Sequence, residues 1–245
     1  MKAMDLLSRR GFLIEQDNEL YYLSDNSDPN DAEFLNTLLR NNALGYVNKS
    51  YIIITADDDD ACATLSSLFL PVKCGTVGVS SCIQSMSWSY HVAKRRHAYK
   101  VPVKWLEANI AAYIKAFSAC GIFTGGCCDG NHPGRDLLYI EFCGPVYTEL
   151  HKIMWEHHLG SIFNINWNKN YDSINLNDNR QSQYDELFRA AQYIYNYRWD
   201  FIGIRLDAAS WMKKNALKHF CDAEVKYRFT KDFTEEVKHH FVSYT

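Results

Sequence analysis

Apolar residues recur along the chain in two patterns, one with helical spacing and one as short alternating or continuous runs. The helical spacing predicts helices over residues 4–9, 32–42, 61–70, 106–117, 145–158, 181–197 and 208–220. The short runs predict strands at GFLIE, ELYYLS, YIIIT, IFTGGC, DLLYIEFC, SIFNINW and KYRF. Gly45 is expected to end the second helix and Gly121 the fourth. Helices and strands mix without a regular βαβ rhythm, so we predict an α+β fold with a mixed or antiparallel sheet covered by several helices.

The length of 245 residues allows one compact domain or two lobes. If there are two, we expect an N-terminal α+β lobe over 1–85 and a C-terminal α+β lobe over 86–245. No Pro/Gly-rich linker marks that boundary.

Composition excludes several classes of protein. Apolar residues make up 47% of the chain and charged residues 22%, which is typical of a folded protein. No apolar run reaches transmembrane length, and Arg9 and Arg10 interrupt the only short apolar stretch near the start. We therefore expect a cytoplasmic protein with no membrane partner, whose eight cysteines are mostly reduced and buried. The net charge of −3 gives no global attraction to nucleic acid, so any polyanion site must be a local patch.

Residues 121–134, which we call the Gly/Cys loop, carry the densest chemistry in the chain. Five of the twelve glycines fall within these fourteen residues, which include the predicted strand IFTGGC and lead into the predicted strand DLLYIEFC. Glycine clusters occur where a backbone turns with positive φ or where a ligand approaches closely. A plain hairpin turn would need only two or three such residues. The sequence therefore indicates either a ligand or active site, or an elaborate structural turn.

Thiols, carboxylates and an imidazole in and beside this loop are the candidate catalytic groups. They are Cys127, Cys128, Asp129, His132 and Glu141. Glu141 is included because the strand after the loop alternates, which puts it on the face opposite Ile140 and beside the exit of the loop. Asp129, His132 and Glu141 would carry protons. The loop residues expected to bind ligand are Gly125, Gly126, Gly130, Asn131 and Arg135.

Three chemistries fit these residues, and the sequence leaves all three open. Cys127 or Cys128 with His132 could ligate zinc, although the spacing matches no standard zinc motif. A cysteine could be a nucleophile paired with histidine, or the glycine backbone could bind a phosphate. For the metal alternative, Cys128 and His132 are the expected ligands.

Residues 124–130 (TGGCCDG) also resemble, over fewer than ten residues, the Thr-x-Ser-Cys-Ser-Gly segment of the wybutosine-synthesis methyltransferase family. This chain has one residue more after the threonine, and Cys127 and Asp129 stand where that family has serines. The resemblance implies only that the loop is a site.

Two other charged segments have candidate roles. Residues 91–104, the basic segment, hold five Lys/Arg and two His, which is a local excess in an acidic chain. Its expected phosphate-binding and stacking residues are Lys94, Arg95, Arg96, His97, Tyr99 and Lys100. Asp57–Asp60 follow a predicted strand and could hold Mg²⁺, but caps of the next helix are the better interpretation.

We therefore predict an intracellular enzyme, such as a hydrolase, that acts on a nucleotide or nucleic-acid phosphate through the Gly/Cys loop and the basic segment. The sequence does not identify a cofactor, and zinc and magnesium are the candidates. The alternative is a non-catalytic binding protein that recognises a nucleotide signal or a protein partner. In a third interpretation the loop is only structural.

Overall fold

A computed structural model describes residues 2–69, 102–121, 124–129, 139–142, 167–168, 173–174 and 180–203. Its N-terminal part folds as helix, hairpin, helix, hairpin, helix. The elements are α1 (Ala3–Arg9), β1 (Ile14–Asp17), β2 (Leu20–Leu23), α2 (Pro29–Asn41), β3 (Gly45–Asn48), β4 (Tyr51–Ile54) and α3 (Asp58–Phe69). The four strands form one sheet in the order β1-β2-β4-β3, antiparallel at every pairing.

The second part is built around two helices. A 3₁₀ turn at Val103–Trp105 leads into α4 (Ala108–Ala119), and α5 (Arg180–Asn196) is followed by helical residues 198–203. Two antiparallel pairs complete the described elements: β5 (Thr124–Cys128) with β6 (Tyr139–Phe142), and β7 (Trp167–Asn168) with β8 (Ser173–Ile174). Helices together with antiparallel sheets confirm the predicted α+β class.

Buried aliphatic side chains explain why the N-terminal elements pack together. Leu7 of α1, Leu35 and Leu39 of α2, and Leu65 of α3 are fully buried, and Ile52 of β4 is nearly so. They belong to one continuous cluster. Full burial of each such side chain contributes roughly 1.5–3 kcal/mol of hydrophobic free energy.

Helix α4 is buried on most of its circumference and packs against both α1 and α5. Gly11, just after α1, approaches α4 so closely that a Cβ there would stand 2.8 Å from the Cβ of Ala111. On the other side, Ile194 and Leu187 of α5 are fully buried. Small residues on α4 therefore let both neighbouring helices approach closely.

An ion pair is buried where the N-terminal part meets α4. The Nζ of Lys115 lies 2.6 Å from Oδ2 of Asp31, and both side chains are 1% exposed. Asp31 also accepts backbone hydrogen bonds from Val103 at 2.8 Å and Asp28 at 3.2 Å. One carboxylate thus joins α2, the 3₁₀ turn and α4.

Two local predictions were wrong in detail. Helix α2 begins at Pro29 rather than at residue 32, because Asp28 caps it and accepts a hydrogen bond from the backbone of Asn30 at 2.8 Å. Gly45 does not end α2 but begins β3, and Ala43 takes the left-handed conformation after the helix with φ +54°.

The remaining elements are confirmed or lie outside the described residues. The strands predicted at GFLIE, ELYYLS, YIIIT, IFTGGC and DLLYIEFC correspond to β1, β2, β4, β5 and β6. The helices predicted over 145–158 and 208–220, the KYRF strand and the lobe boundary near residue 85 lie outside the described residues. SIFNINW is described only at its last residue, which begins β7. None of the helices in the described ranges is long and apolar enough to cross a membrane.

Candidate functional site

Strands β5 and β6 form the hairpin that carries the Gly/Cys loop. Thr124 pairs with Phe142 and Cys127 with Ile140, so β5 has one residue more than β6 between these pairs. The extra residue falls at Gly125–Gly126, and Glu141 occupies the register position opposite. Such a β-bulge bends a strand and leaves one residue out of the regular ladder, and bulges are frequent beside active sites. The glycine pair thus sits at the irregular point of the hairpin.

Asp129 follows β5 directly and is buried, with 6% of its surface exposed. Its backbone N–H donates to Oε2 of Glu107 at 2.5 Å, and its carboxylate accepts from the side-chain amide of Asn109 at 3.0 Å. Its carbonyl oxygen accepts from the hydroxyl of Tyr184 at 2.6 Å. The backbone and side chain of Asp129 therefore fasten the end of β5 between α4 and α5.

These bonds place two carboxylates at the start of α4. Glu107 is the residue that precedes the helix, and Asn109 lies in its first turn. A helix N-terminus carries a partial positive charge that favours anions. Because Glu107 and Asp129 already face this end, a phosphate there would meet like charges.

The structure leaves much of the predicted site untested. Cys127 and Cys128 lie on β5 and Glu141 on β6. The other candidates lie outside the described residues: Gly130, Asn131, His132, Arg135, Lys94, Arg95, Arg96, His97, Tyr99 and Lys100.

The metal alternatives find no support in the described ranges. There, no three His, Cys, Asp or Glu side chains are grouped as metal ligands would be. Asp57 accepts a hydrogen bond from the backbone of Asp59 at 3.0 Å, and Asp58 accepts one from the backbone of Ala3 at 3.1 Å. The aspartate run at the start of α3 thus caps the helix and joins it to α1. This is the capping role that the sequence favoured over Mg²⁺ binding.

A second polar cluster, which sequence reasoning missed, surrounds Glu15 on β1. One carboxylate oxygen accepts from the hydroxyls of Ser24 at 2.8 Å and Tyr195 at 2.7 Å and from Arg198 at 3.0 Å. The other accepts from the hydroxyl of Tyr22 at 3.2 Å. Tyr22 stands directly across from Glu15 in the sheet, so the hairpin register could have identified that partner. Tyr195 lies on the distant α5 and Arg198 just after that helix, and neither gave such a signal in the sequence.

The cluster holds its groups in defined protonation states. Burial alone would raise the pKa of Glu15, but the hydrogen bonds from Tyr195, Ser24 and Tyr22 and the charge of Arg198 outweigh it, and the pKa is lowered. Burial, together with the bond to Glu15, raises the pKa of Tyr195. Near neutral pH the cluster is therefore a carboxylate held by three neutral hydroxyls and one guanidinium.

No protein-family model matches the sequence, and no curated protein and no solved structure matches it either. The short resemblance at residues 124–130 therefore rests on those residues alone.

Proposed function

We propose that the protein is a non-catalytic binding protein that recognises a nucleotide. Hairpin β5–β6 and the Gly/Cys loop would contact the ligand, and the basic segment would hold its phosphates. The observation that carries this proposal, rather than the enzyme predicted first, is the set of hydrogen bonds made by Asp129.

A general acid or base must lie within hydrogen-bond reach of its substrate and be free to exchange a proton with it. Asp129 is buried, and its N–H, carbonyl and carboxylate bond to Glu107, Tyr184 and Asn109. These bonds suit a residue that fixes the hairpin better than one that transfers protons. A firmly held end of β5 supports recognition because less conformational entropy is lost on binding.

The bulge at Gly125–Gly126 supports backbone recognition of a phosphate. Glycine allows close approach of a ligand, and a bulge takes the strand out of its regular pairing. Glu107 and Asp129 disfavour an anion at the start of α4, so the phosphate contact is assigned to the bulge and the basic segment.

Isothermal titration of the full chain with AMP, ADP, ATP and adenosine tests the proposal. We expect saturable binding that strengthens with phosphate number. It should weaken between 50 and 300 mM salt, where the Debye length falls from roughly 14 to 6 Å and exposed charges are screened. The double variant Arg95→Gln, Arg96→Gln should bind about tenfold more weakly. Lys104→Gln, which removes an exposed cation at the end of the same segment, should stay within about twofold.

Turnover separates the proposal from its alternative. Nucleotide incubated with the protein and either Mg²⁺ or Zn²⁺ should be recovered unchanged by chromatography. Hydrolysis that is lost in Cys128→Ser or His132→Ala would restore the enzyme hypothesis. If none of the four compounds binds, the proposal fails.

A further inference from the structure

A cavity of about 110 Å³ lies where α1 and β1 meet α4 and α5. Its apolar lining includes Phe12 after α1, Ala112 and Ala116 on α4, and Phe188 on α5. The two alanines are buried, so the cavity reaches the packed interior between the helices. It exists because α4 presents methyl groups where larger side chains would fill the space.

Polar side chains also line this cavity. The exposed side chains of Gln192 and Asn196, one turn apart on α5, stand at its mouth, and the half-buried Ser8 faces them from α1. Carboxamides and a hydroxyl can both donate and accept hydrogen bonds. The described lining therefore combines apolar side chains with uncharged polar ones.

Two aromatic walls of the cavity are held in place from outside it. The guanidinium of Arg198 lies 4.4 Å from the ring centre of Tyr195, whose hydroxyl is bonded to Glu15. The guanidinium of Arg9 lies 5.5 Å from the ring centre of Phe188. These contacts fix both rings before any ligand arrives, which lowers the entropic cost of binding.

The charges behind these walls are balanced. Arg198 pairs with Glu15 at 3.0 Å, and Arg9 pairs with Asp185. Since none of the described residues that line the cavity is charged, a charged ligand would lose its hydration without gaining a counter-ion from them. The site thus favours a neutral ligand.

From these observations we propose that this cavity is a binding site for a neutral molecule with one aromatic ring and a hydrogen-bonding group such as a carboxamide. An engineered apolar cavity of about 150 Å³ encloses benzene. This cavity has about 110 Å³ and opens to solvent, so it would enclose the ring only in part and leave the polar group at the mouth. The ring would lie between Phe12, Phe188 and Tyr195, with the carboxamide at Gln192 and Asn196. A nucleotide is too large and too charged for this cavity, so the site is independent of the function proposed above.

Ligand-observed NMR titration of the full chain with benzamide, and with benzoate as its charged isostere, tests this site. We expect saturable binding of benzamide with a dissociation constant of about 1 mM, which lies within the range for a ligand of this size. Benzoate should bind at least about tenfold more weakly because its charge is not compensated.

Variants place the binding in the cavity. Gln192→Trp covers the mouth from α5 and Ser8→Leu fills the space from α1, and each should weaken benzamide binding at least about tenfold. Arg189→Trp adds the same ring to an exposed position of α5 that does not line the cavity, and should change affinity less than about twofold. Circular dichroism would establish that each variant is folded.

The proposal is overturned if benzamide shows no saturable binding or if benzoate binds as tightly. It is also overturned if both folded cavity variants keep the affinity of the wild type. Nucleotide titrations of the same variants should be unchanged, so failure of this site and failure of the nucleotide site are distinguishable.

Discussion

Replacing Asp31 by asparagine removes the charge from the most deeply buried ion pair in the described part of the chain. Asparagine keeps one of the two oxygens and replaces the other by an amide group, which donates rather than accepts. One carboxylate oxygen faces the Lys115 ammonium and the backbone N–H of Asp28, and the other faces the backbone N–H of Val103. In either orientation the new amide group therefore meets a donor where an acceptor stood, and the negative charge beside Lys115 is gone.

The expected cost follows from burial. Both side chains are 1% exposed, so solvent cannot replace the lost carboxylate. Removing one partner of a buried pair typically costs about 3–5 kcal/mol, because the other charge stays buried without its counter-ion. Burial also lowers the pKa of Arg10 to about 10, and the Asp31 charge opposes that shift, so this cation is destabilised too. For a chain of this size, 3–5 kcal/mol corresponds to a fall of roughly 10 °C in melting temperature.

Urea unfolding followed by tryptophan fluorescence measures this cost. The matched control is Glu33→Gln, an exposed acid on the same helix, which should change the unfolding free energy by less than about 0.5 kcal/mol. Combining Asp31→Asn with Lys115→Met should cost about 2 kcal/mol less than the sum of the single changes, since neither charge is then left behind. The reasoning is refuted if Asp31→Asn alone costs less than 1 kcal/mol, or if the two changes are additive.

Three further predictions concern other parts of the fold. Because the pKa of Glu15 is lowered in the folded protein, its ionised side chain stabilises the fold above the unfolded-state pKa of about 4.3. This stabilisation is lost as the pH falls through the folded-state pKa, so the difference in free energy of unfolding between wild type and Glu15→Gln should shrink below about pH 4. Gly45→Ala should lower the free energy of unfolding in urea by about 3 kcal/mol or more, because the φ of Gly45 is +154° and the new Cβ would stand 2.0 Å from a backbone oxygen of β4. The control is Gly203→Ala, which should be neutral or slightly stabilising because no atom lies within 4 Å of the new Cβ. Asp129→Ala should cost about 1–3 kcal/mol and Tyr184→Phe about 1 kcal/mol by the same measurement, and an Asp129 variant as stable as wild type would contradict its anchoring role.

Local sequence patterns were enough to predict most of the N-terminal helices and strands. The β1–β2 hairpin follows from two apolar runs around Asn18, which takes a left-handed conformation with φ +53° at the turn. The same kind of reasoning located β5 and β6, because glycine-rich residues separate two runs that read as strands. In each case the information lies within about 20 residues of sequence, and the strand partner follows along the chain.

The two wrong predictions concern residues whose structure is set by a group that the sequence pattern did not take into account. In one case that group is close in sequence, and in the other it is distant. The start of α2 was missed because apolar spacing begins only at Phe34, although Asp28 followed by Pro29 is a regular helix start. The role of Gly45 was missed because it depends on β4, whose backbone approaches so closely that no side chain fits. A glycine two or three residues after a helix indicates a cap until the strand that packs on it is known.

The candidate sites could be predicted even less well, because both depend on contacts with α5, which is distant in the sequence. Tyr195 donates to Glu15 across 180 positions of sequence, and Tyr184 donates to Asp129 across 55. Neither tyrosine differs from the other aromatic residues of that helix in any local pattern. Spacing along α5 nevertheless puts Tyr184 beside the end of β5 and Tyr195 at the cavity wall, about 16 Å further along the helix. One helix therefore contributes to both sites, and each contribution depends on how α5 packs against residues far away in the sequence.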